Sequence, residues 1–234
     1  MELQRRLKGM KLIQTDIENI ITEYVDKIEK KYPPSDNSQI VYKQSLKAMA
    51  GIDLGSHTNQ DVQQIVETYL YTWGNMGRLL GREEFRGWQS RLTKELQYNH
   101  KMLEGLRKKR LETVNLSEFD ADIKKCYKSF RDVVGRIASA KVLHLVSPDF
   151  FPIWDNAIAE GVRKELAARE DWTIEAFSPD DYYEFMKAIQ QFTRKNSKVL
   201  SDLVLKYGKS KLRIIDECLL CAVRRPFSLF FGTM

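Results

Sequence analysis

The chain has 234 residues, of which 43% are hydrophobic and 30% charged, and this balance is typical of a folded globular protein and excludes an intrinsically disordered one. No apolar run reaches the roughly 20 residues of a membrane span, and the N-terminal residues lack the apolar core of a signal peptide, so we expect a cytoplasmic protein without a membrane partner. Three cysteines favour a reducing compartment, and the net charge of +6 permits a polyanionic partner.

Helical periodicity dominates the first part of the chain. Apolar residues at three- and four-residue spacings predict one amphipathic helix over 3–31, which Pro33 and Pro34 end. A short helix is predicted at 39–50, and Thr58 or Asn59 is a candidate cap for the next one, which runs toward Trp73.

The prolines also mark the one segment that resembles a linker. We predict an N-terminal helix and linker over 1–34, followed by an all-helical domain over 35–234, with one continuous domain over 1–234 as the alternative.

Glycines interrupt the pattern after Trp73. Gly74, Gly77 and Gly81 predict a bend or a close approach of the backbone. One long polar helix is predicted over 83–110. Its last residues, RKKR at 107–110, are typical of a solvated helix end, or they extend a phosphate-binding surface.

The second half of the chain also has the pattern of helices. Ser117 is a candidate cap for a helix through Phe130. Later helices are predicted at 155–169, 180–194, 197–207 and 210–224. Because no convincing strand or internal repeat occurs, the sequence predicts an all-α fold of about ten helices.

A helical hairpin is predicted around Gly135, in FRDVVGRIASAKVLHLVSP. Small residues after the glycine let two helices approach closely, and the N–H groups at the start of the second helix suit a phosphate. Arg136, Ser139 and Lys141 would surround such an anion and hold a nucleic-acid backbone without reading its sequence.

The segment after the hairpin, SPDFFPIWDNAI, ends at an aspartate that opens a helix. This order, a glycine-turn hairpin followed by an apolar and aromatic lead into Asp155, resembles the helix-hairpin-helix DNA glycosylase superfamily. The resemblance covers roughly residues 130 to 165. The wider pattern, including YLYTWGNMGR at 69–78, also resembles a group of prokaryotic proteins that have no assigned activity.

The resemblance implies a DNA-binding, base-excision function with no cofactor. Asp155 falls on the position of the family's essential aspartate, which would stabilise positive charge on the sugar and activate water. Because Ile137 and Ala138 stand where bifunctional members carry a lysine, monofunctional hydrolysis is favoured over lyase chemistry. Lys141, about one turn further along, is the second catalytic candidate beside Asp155. Candidates for contact with a flipped base are Trp73, Arg78, Phe151 and Trp154.

Each of these assignments also has a purely structural alternative. A helix cap explains Asp155 equally well, which would leave a non-catalytic module that binds nucleic acid or protein. Lys141 would then be a solvated helix residue, and the glycines near Trp73 and Arg78 a packing site. His144 lies in an apolar run and is expected to be a hydrogen-bonded core residue.

The remaining candidates are Cys218 and Cys221, which lie one helical turn apart. This spacing suits a metal or a redox pair, but no second Cys or His pair lies near them in the sequence, so packing cysteines are favoured and no metal is predicted.

Overall fold

The structure is a computed structural model that describes residues 14–55, 60–159 and 178–222, with side chains from residue 18 onward. Every regular element in these ranges is helical, which confirms the predicted all-α class. The α-helices are α1 (Gln14–Lys31), α2 (Asn37–Ala50), α3 (Gln60–Thr68), α4 (Gly77–Leu80), α5 (Trp88–Tyr98), α6 (His100–Arg107), α7 (Asp120–Val146), α8 (Pro179–Lys195), α9 (Ser197–Tyr207) and α10 (Lys211–Ala222). A π-helical turn at Tyr69–Trp73, two short 3₁₀ segments at Glu83–Phe85 and Leu116–Phe119, and a helical turn at 156–159 complete the described elements.

The helices surround one apolar core, in which α7 is the central element. Its inner face is fully buried and packs against α2, α5, α6 and α8. The helix α10 packs along α1, so both ends of the described chain contribute to the core. The predicted division of the chain at residue 34 stays a prediction. The candidate caps Thr58 and Asn59 and most of the predicted helix 155–169 lie outside the described residues.

The single long helix predicted over 83–110 is wrong. The chain forms a 3₁₀ turn and then the two helices α5 and α6, separated at Asn99. Gly87 has a φ of 70°, a left-handed conformation that starts α5 afresh. The Asn99 side chain donates to the Glu95 carbonyl (2.8 Å) and so competes with continuation of the helix.

At Gly135, where the sequence predicts a hairpin, α7 is interrupted at a single residue. Gly135 has φ 78° and ψ 167°, a conformation that is nearly exclusive to glycine, and regular helix resumes at Arg136. A Cβ atom at Gly135 would lie 3.1 Å from Cζ of Phe85, so the turn is also closely packed. Ser117 does not cap this helix, because its hydroxyl donates to Asn115 and α7 begins at Asp120.

Arg107, within the predicted basic run, joins the ends of several helices. Its guanidinium donates to the carbonyls of Met49 (3.0 Å), Ile52 (2.7 Å) and Val146 (3.2 Å) and forms a salt bridge with Glu104. The carbonyls at helix C-termini have no partner within their own helix. Arg107 therefore has a structural role, and it is not part of a solvated basic surface.

None of the helices within the described ranges is long and apolar enough to cross a membrane.

We expect Gly135→Ala to destabilise the protein by at least about 2 kcal/mol, because it combines a backbone conformation unfavourable for alanine with a clash against Phe85. Unfolding in urea, monitored by circular dichroism, measures this difference in stability. Gly105→Ala in α6 is the matched control: its added methyl meets open space, and it should stabilise the helix by about 0.5–1 kcal/mol. A Gly135→Ala protein as stable as the wild type would contradict this account of the turn.

Candidate functional site

The segment 147–155 connects α7 to the helical turn at 156–159, and a buried histidine holds it. Nδ1 of His144 lies 2.8 Å from the Phe151 carbonyl, and Nε2 lies 2.8 Å from the hydroxyl of Tyr42 on α2. A carbonyl only accepts, so Nδ1 carries the proton, and Nε2 accepts from the tyrosine. His144 is 0% exposed, as a core histidine is expected to be.

Aromatic packing completes this connector. Phe150 and Phe151 are fully buried and contact each other edge to face. Trp154 packs against Phe185, and the Tyr182 hydroxyl donates to the Pro152 carbonyl (2.9 Å). Both the backbone and the side chains of the segment that precedes Asp155 are therefore fixed by contacts with the core.

Asp155 has a capping role and also lies at a cavity. Its Oδ1 accepts the backbone N–H of Ile158 (3.0 Å), as the predicted N-cap requires. The residue is half-buried, and its other carboxylate oxygen makes no hydrogen bond to another described residue. Asp155 also lines a cavity of about 240 Å³, so capping uses only part of the carboxylate.

The cavity lies between α1, α2, α7 and α10 and the π-helical turn. Its wall includes the ring of Trp73 and the charged or polar side chains of Gln39, Lys141, Asp155, Arg213, Asp216 and Glu217. Apolar and aromatic parts of the wall come from Ile28, Tyr32, Ile153 and Leu220. Ligand sites usually combine apolar and aromatic lining with a small number of polar groups, and both kinds of side chain line this cavity.

Lys141 reaches this cavity from the helix that follows Gly135. Its Nζ donates to the Gly74 carbonyl (2.8 Å) and lies 5.5 Å from the centre of the Trp73 ring. The π-helical turn ends at Gly74, which leaves this carbonyl available for the lysine. Burial lowers the pKa of Lys141, and Asp155 opposes that shift because it favours the charged amine.

A buried group of charges on α10 forms the opposite wall. Arg213 pairs with Asp216 and with Glu217 (3.1 Å), and Glu217 also accepts from Lys209 (2.7 Å). The guanidinium lies over the rings of Tyr42 (5.1 Å) and Trp73 (5.0 Å). Burial raises the pKa of Asp216 to about 7, although Arg213 favours its ionised form.

The residues predicted to hold a phosphate are placed differently from one another. Gly135 forms the turn, and Arg136 is exposed next to it. Ser139 is 0% exposed, and its hydroxyl donates to the Arg136 carbonyl (2.8 Å). Lys141 faces the cavity, so the structure does not bring all four residues together on one surface.

The four predicted base contacts are also separated. Trp73 lines the cavity beside Lys141 and Asp155. Phe151 and Trp154 are buried in the core behind Asp155, where they position the connector. Arg78 is exposed on α4 and is not part of the cavity wall.

The two cysteines of α10 contact the backbone of α1. Cys218 and Cys221 are free thiols whose sulfurs lie 3.7 Å from the carbonyls of Ile21 and Tyr24. Within the part of the chain that the structure describes, no group of three or more His, Cys, Asp or Glu side chains has a geometry suited to a metal.

Sequence reasoning missed Gln39, Arg213, Asp216 and Glu217. One local signal was present in KLRIIDECLLCAV: three charges at positions i, i+3 and i+4 of an otherwise apolar helix lie on one face and must be buried with it. Gln39 carries no such signal, because an isolated glutamine at the start of a helix is ordinary.

Comparisons of the chain with protein-family models, with curated proteins and with solved structures find no significant match. The site is therefore interpreted from its own geometry.

The stability of this site should depend on pH through His144. Burial lowers its pKa from 6.5 to about 4. Between these two values the unfolded chain binds a proton that the folded chain excludes. The contribution of His144 to the free energy of unfolding should therefore fall as the pH drops from 6.5 toward 4, by up to about 1.4 kcal/mol per pH unit. Asp216, whose pKa is raised to about 7, contributes in the opposite direction over this range, so the histidine component is read from the difference between variants.

Urea unfolding at several pH values between 4.5 and 7.5 measures this dependence. His144→Gln should lose the histidine component, and the half-buried His100→Gln on α6 is the matched control that leaves His144 in place. The assignment is overturned by a His144→Gln profile as steep as that of the control.

Proposed function

We propose that this protein binds DNA and acts as a base-excision glycosylase, with Asp155 as the residue that stabilises the sugar cation and activates water. The observation that supports this most is the position of Asp155. It is anchored through one oxygen by the Ile158 N–H, and it lies on the wall of a cavity shared with Lys141 and Trp73.

The proposed chemistry requires a carboxylate that is fixed in position on the wall of a cavity. A base must leave the duplex before its glycosidic bond can be reached, and its departure leaves positive charge on the sugar. A carboxylate held at a helix N-terminus can face that charge with little reorganisation. Asp155 favours the charged form of Lys141, so the carboxylate and the ammonium group interact across the cavity.

The hairpin supports the DNA-binding part of the proposal. Gly135 turns the chain so that the exposed Arg136 lies at the start of the second half of α7, the half that carries Lys141 into the cavity. A phosphate contact at Arg136 would therefore place the nucleic acid near the helix that lines the pocket.

A second candidate function is that of a DNA-binding module without catalytic activity. The hydrogen bond from the Ile158 N–H to Asp155 favours it, because capping is a sufficient reason for an aspartate at this position. The two candidates share DNA binding and differ in base release.

Asp155→Asn separates capping from catalysis, because asparagine caps a helix as well as aspartate does but carries no charge. We expect this variant to keep the wild-type stability and to release bases at least about 100-fold more slowly. The measurement is abasic-site formation in duplexes that carry single damaged or mismatched bases, together with urea unfolding.

Asp132→Asn, an exposed aspartate on α7, is the control and should keep full activity. Asp155→Ala should lose the cap as well, at a cost of about 1 kcal/mol in stability. If wild type and Asp155→Asn release no base from any duplex in a broad panel, the enzyme is excluded and the binding module remains.

DNA binding should depend on salt, and Arg136 should contribute to that dependence. Each phosphate contact releases counterions, so the logarithm of the affinity should fall linearly with the logarithm of the salt concentration. Arg136→Ala should reduce the magnitude of this slope by about one, as measured by fluorescence anisotropy with a labelled duplex. Lys198→Ala, an exposed lysine on α9, is the matched control. Salt-independent binding, or the same slope for both variants, contradicts a phosphate contact at Arg136.

A further inference from the structure

The charges of the cavity wall indicate what kind of ligand it accepts. Three carboxyl groups, those of Asp155, Asp216 and Glu217, face two cations, Lys141 and Arg213. Lys209, which pairs with Glu217 behind the wall, adds a third cation, so the charges of the described side chains are close to balanced and the cavity has no positive excess that would attract a phosphate.

Most of the donors in the wall are already used. Lys141 donates to the Gly74 carbonyl, and Arg213 donates to Asp216 and Glu217. Within the described residues, the one buried donor of the cavity wall that lacks a partner is Nε of Arg213.

Three buried acceptors in the wall, by contrast, have no hydrogen-bond partner among the described residues. They are Gln39 Oε1, Asp216 Oδ1 and Glu217 Oε2. Their side chains are almost completely buried, at 3%, 3% and 0% exposure, and all three line the cavity. Buried polar atoms in folded proteins usually have partners, and the residues that carry these three oxygens line the cavity, so a ligand there is the candidate partner.

The shape of the cavity adds a second requirement. Its remaining wall is made of aromatic and aliphatic groups, among them Trp73, Tyr32 and Leu220. With about 240 Å³ it holds far more than one water molecule, whose share of liquid volume is about 30 Å³. A flat ring system with apolar faces and a polar edge meets these conditions.

We propose that the cavity selects a nitrogen heterocycle that presents two neighbouring N–H donors beside one acceptor on a single edge. The ring N–H and the two hydrogens of an amino group match the three free oxygens of Asp216, Glu217 and Gln39 in number, and the acceptor matches Nε of Arg213. A ring amide next to an exocyclic amino group, as in a 2-amino-6-oxopurine, has this edge. Calling the ring a base within DNA depends on the proposed function; the preference for the edge does not.

Two soluble nucleosides that differ only in the amino group provide the test. Deoxyguanosine has the donor pair, and deoxyinosine lacks the amino group. We expect deoxyguanosine to bind to the full chain about tenfold more tightly in isothermal titration calorimetry, because deoxyinosine leaves a buried acceptor unsatisfied.

Gln39→Met locates the binding in the cavity. It removes one free acceptor and breaks no side-chain hydrogen bond within the described residues, so the fold should be kept. We expect weaker binding of deoxyguanosine and a smaller preference over deoxyinosine. Gln44→Met, on the same helix but exposed in a different groove, is the matched control and should bind as the wild type does. Asp216→Asn is a second variant on the opposite wall and should also reduce the preference.

The outcomes separate this inference from the proposed function. If deoxyguanosine is preferred and Gln39→Met reduces that preference while no duplex loses a base, the inference stands and the glycosylase is excluded. If bases are released but the two nucleosides bind equally, the glycosylase stands and the donor-edge preference is wrong. If neither nucleoside binds, water alone satisfies the three oxygens, and the inference is overturned.

Discussion

The site depends on the neutral imidazole of His144. It accepts from Tyr42 on α2 and donates to the Phe151 carbonyl, so it joins one helix to the connector that leads to Asp155. Lys141 lies one turn earlier on the same helix and therefore on the same face. The hydrogen-bonded histidine, which lies between Lys141 and Asp155 in the sequence, thus fixes the connector relative to the helix that carries the lysine. Protonation of Nε2 would turn it from an acceptor into a donor, so the hydroxyl of Tyr42 would have to reverse its role in the hydrogen bond.

A second organising feature is that basic side chains in the interior are paired with carboxylates and backbone carbonyls. Arg107 binds three carbonyls at helix ends, and Arg213, Lys141 and Lys209 are engaged by buried carboxylates or a backbone carbonyl. The net charge of +6 is therefore a poor guide to the cavity, whose wall combines acidic and basic side chains. If the proposed function holds, exposed residues such as Arg136 attract the polyanion, and the cavity holds a different part of the ligand.

How far the sequence predicts this structure depends on whether each feature is local. The helices around Ile21, Val66 and Ile189 follow from apolar periodicity, and the roles of His144 as a core residue and Asp155 as a cap follow from their immediate neighbours. The helix over 83–110 was wrong because Gly87 and Asn99 act through backbone geometry that periodicity does not detect. The wall formed by Gln39 and Arg213 was missed because it results from contacts between helices far apart in the sequence.

The cavity has walls from both ends of the described chain, since Ile28 on α1 and Leu220 on α10 line the same space. During synthesis the ribosome releases α7 well before α10. In that interval Lys141 and the apolar surface around it have no opposite wall, and Arg213 has yet to reach the rings of Tyr42 and Trp73. The pocket is therefore completed only after α10 has been synthesised, and a chain that stops before α10 would carry Asp155 and Lys141 without the enclosure that gives them their electrostatic environment.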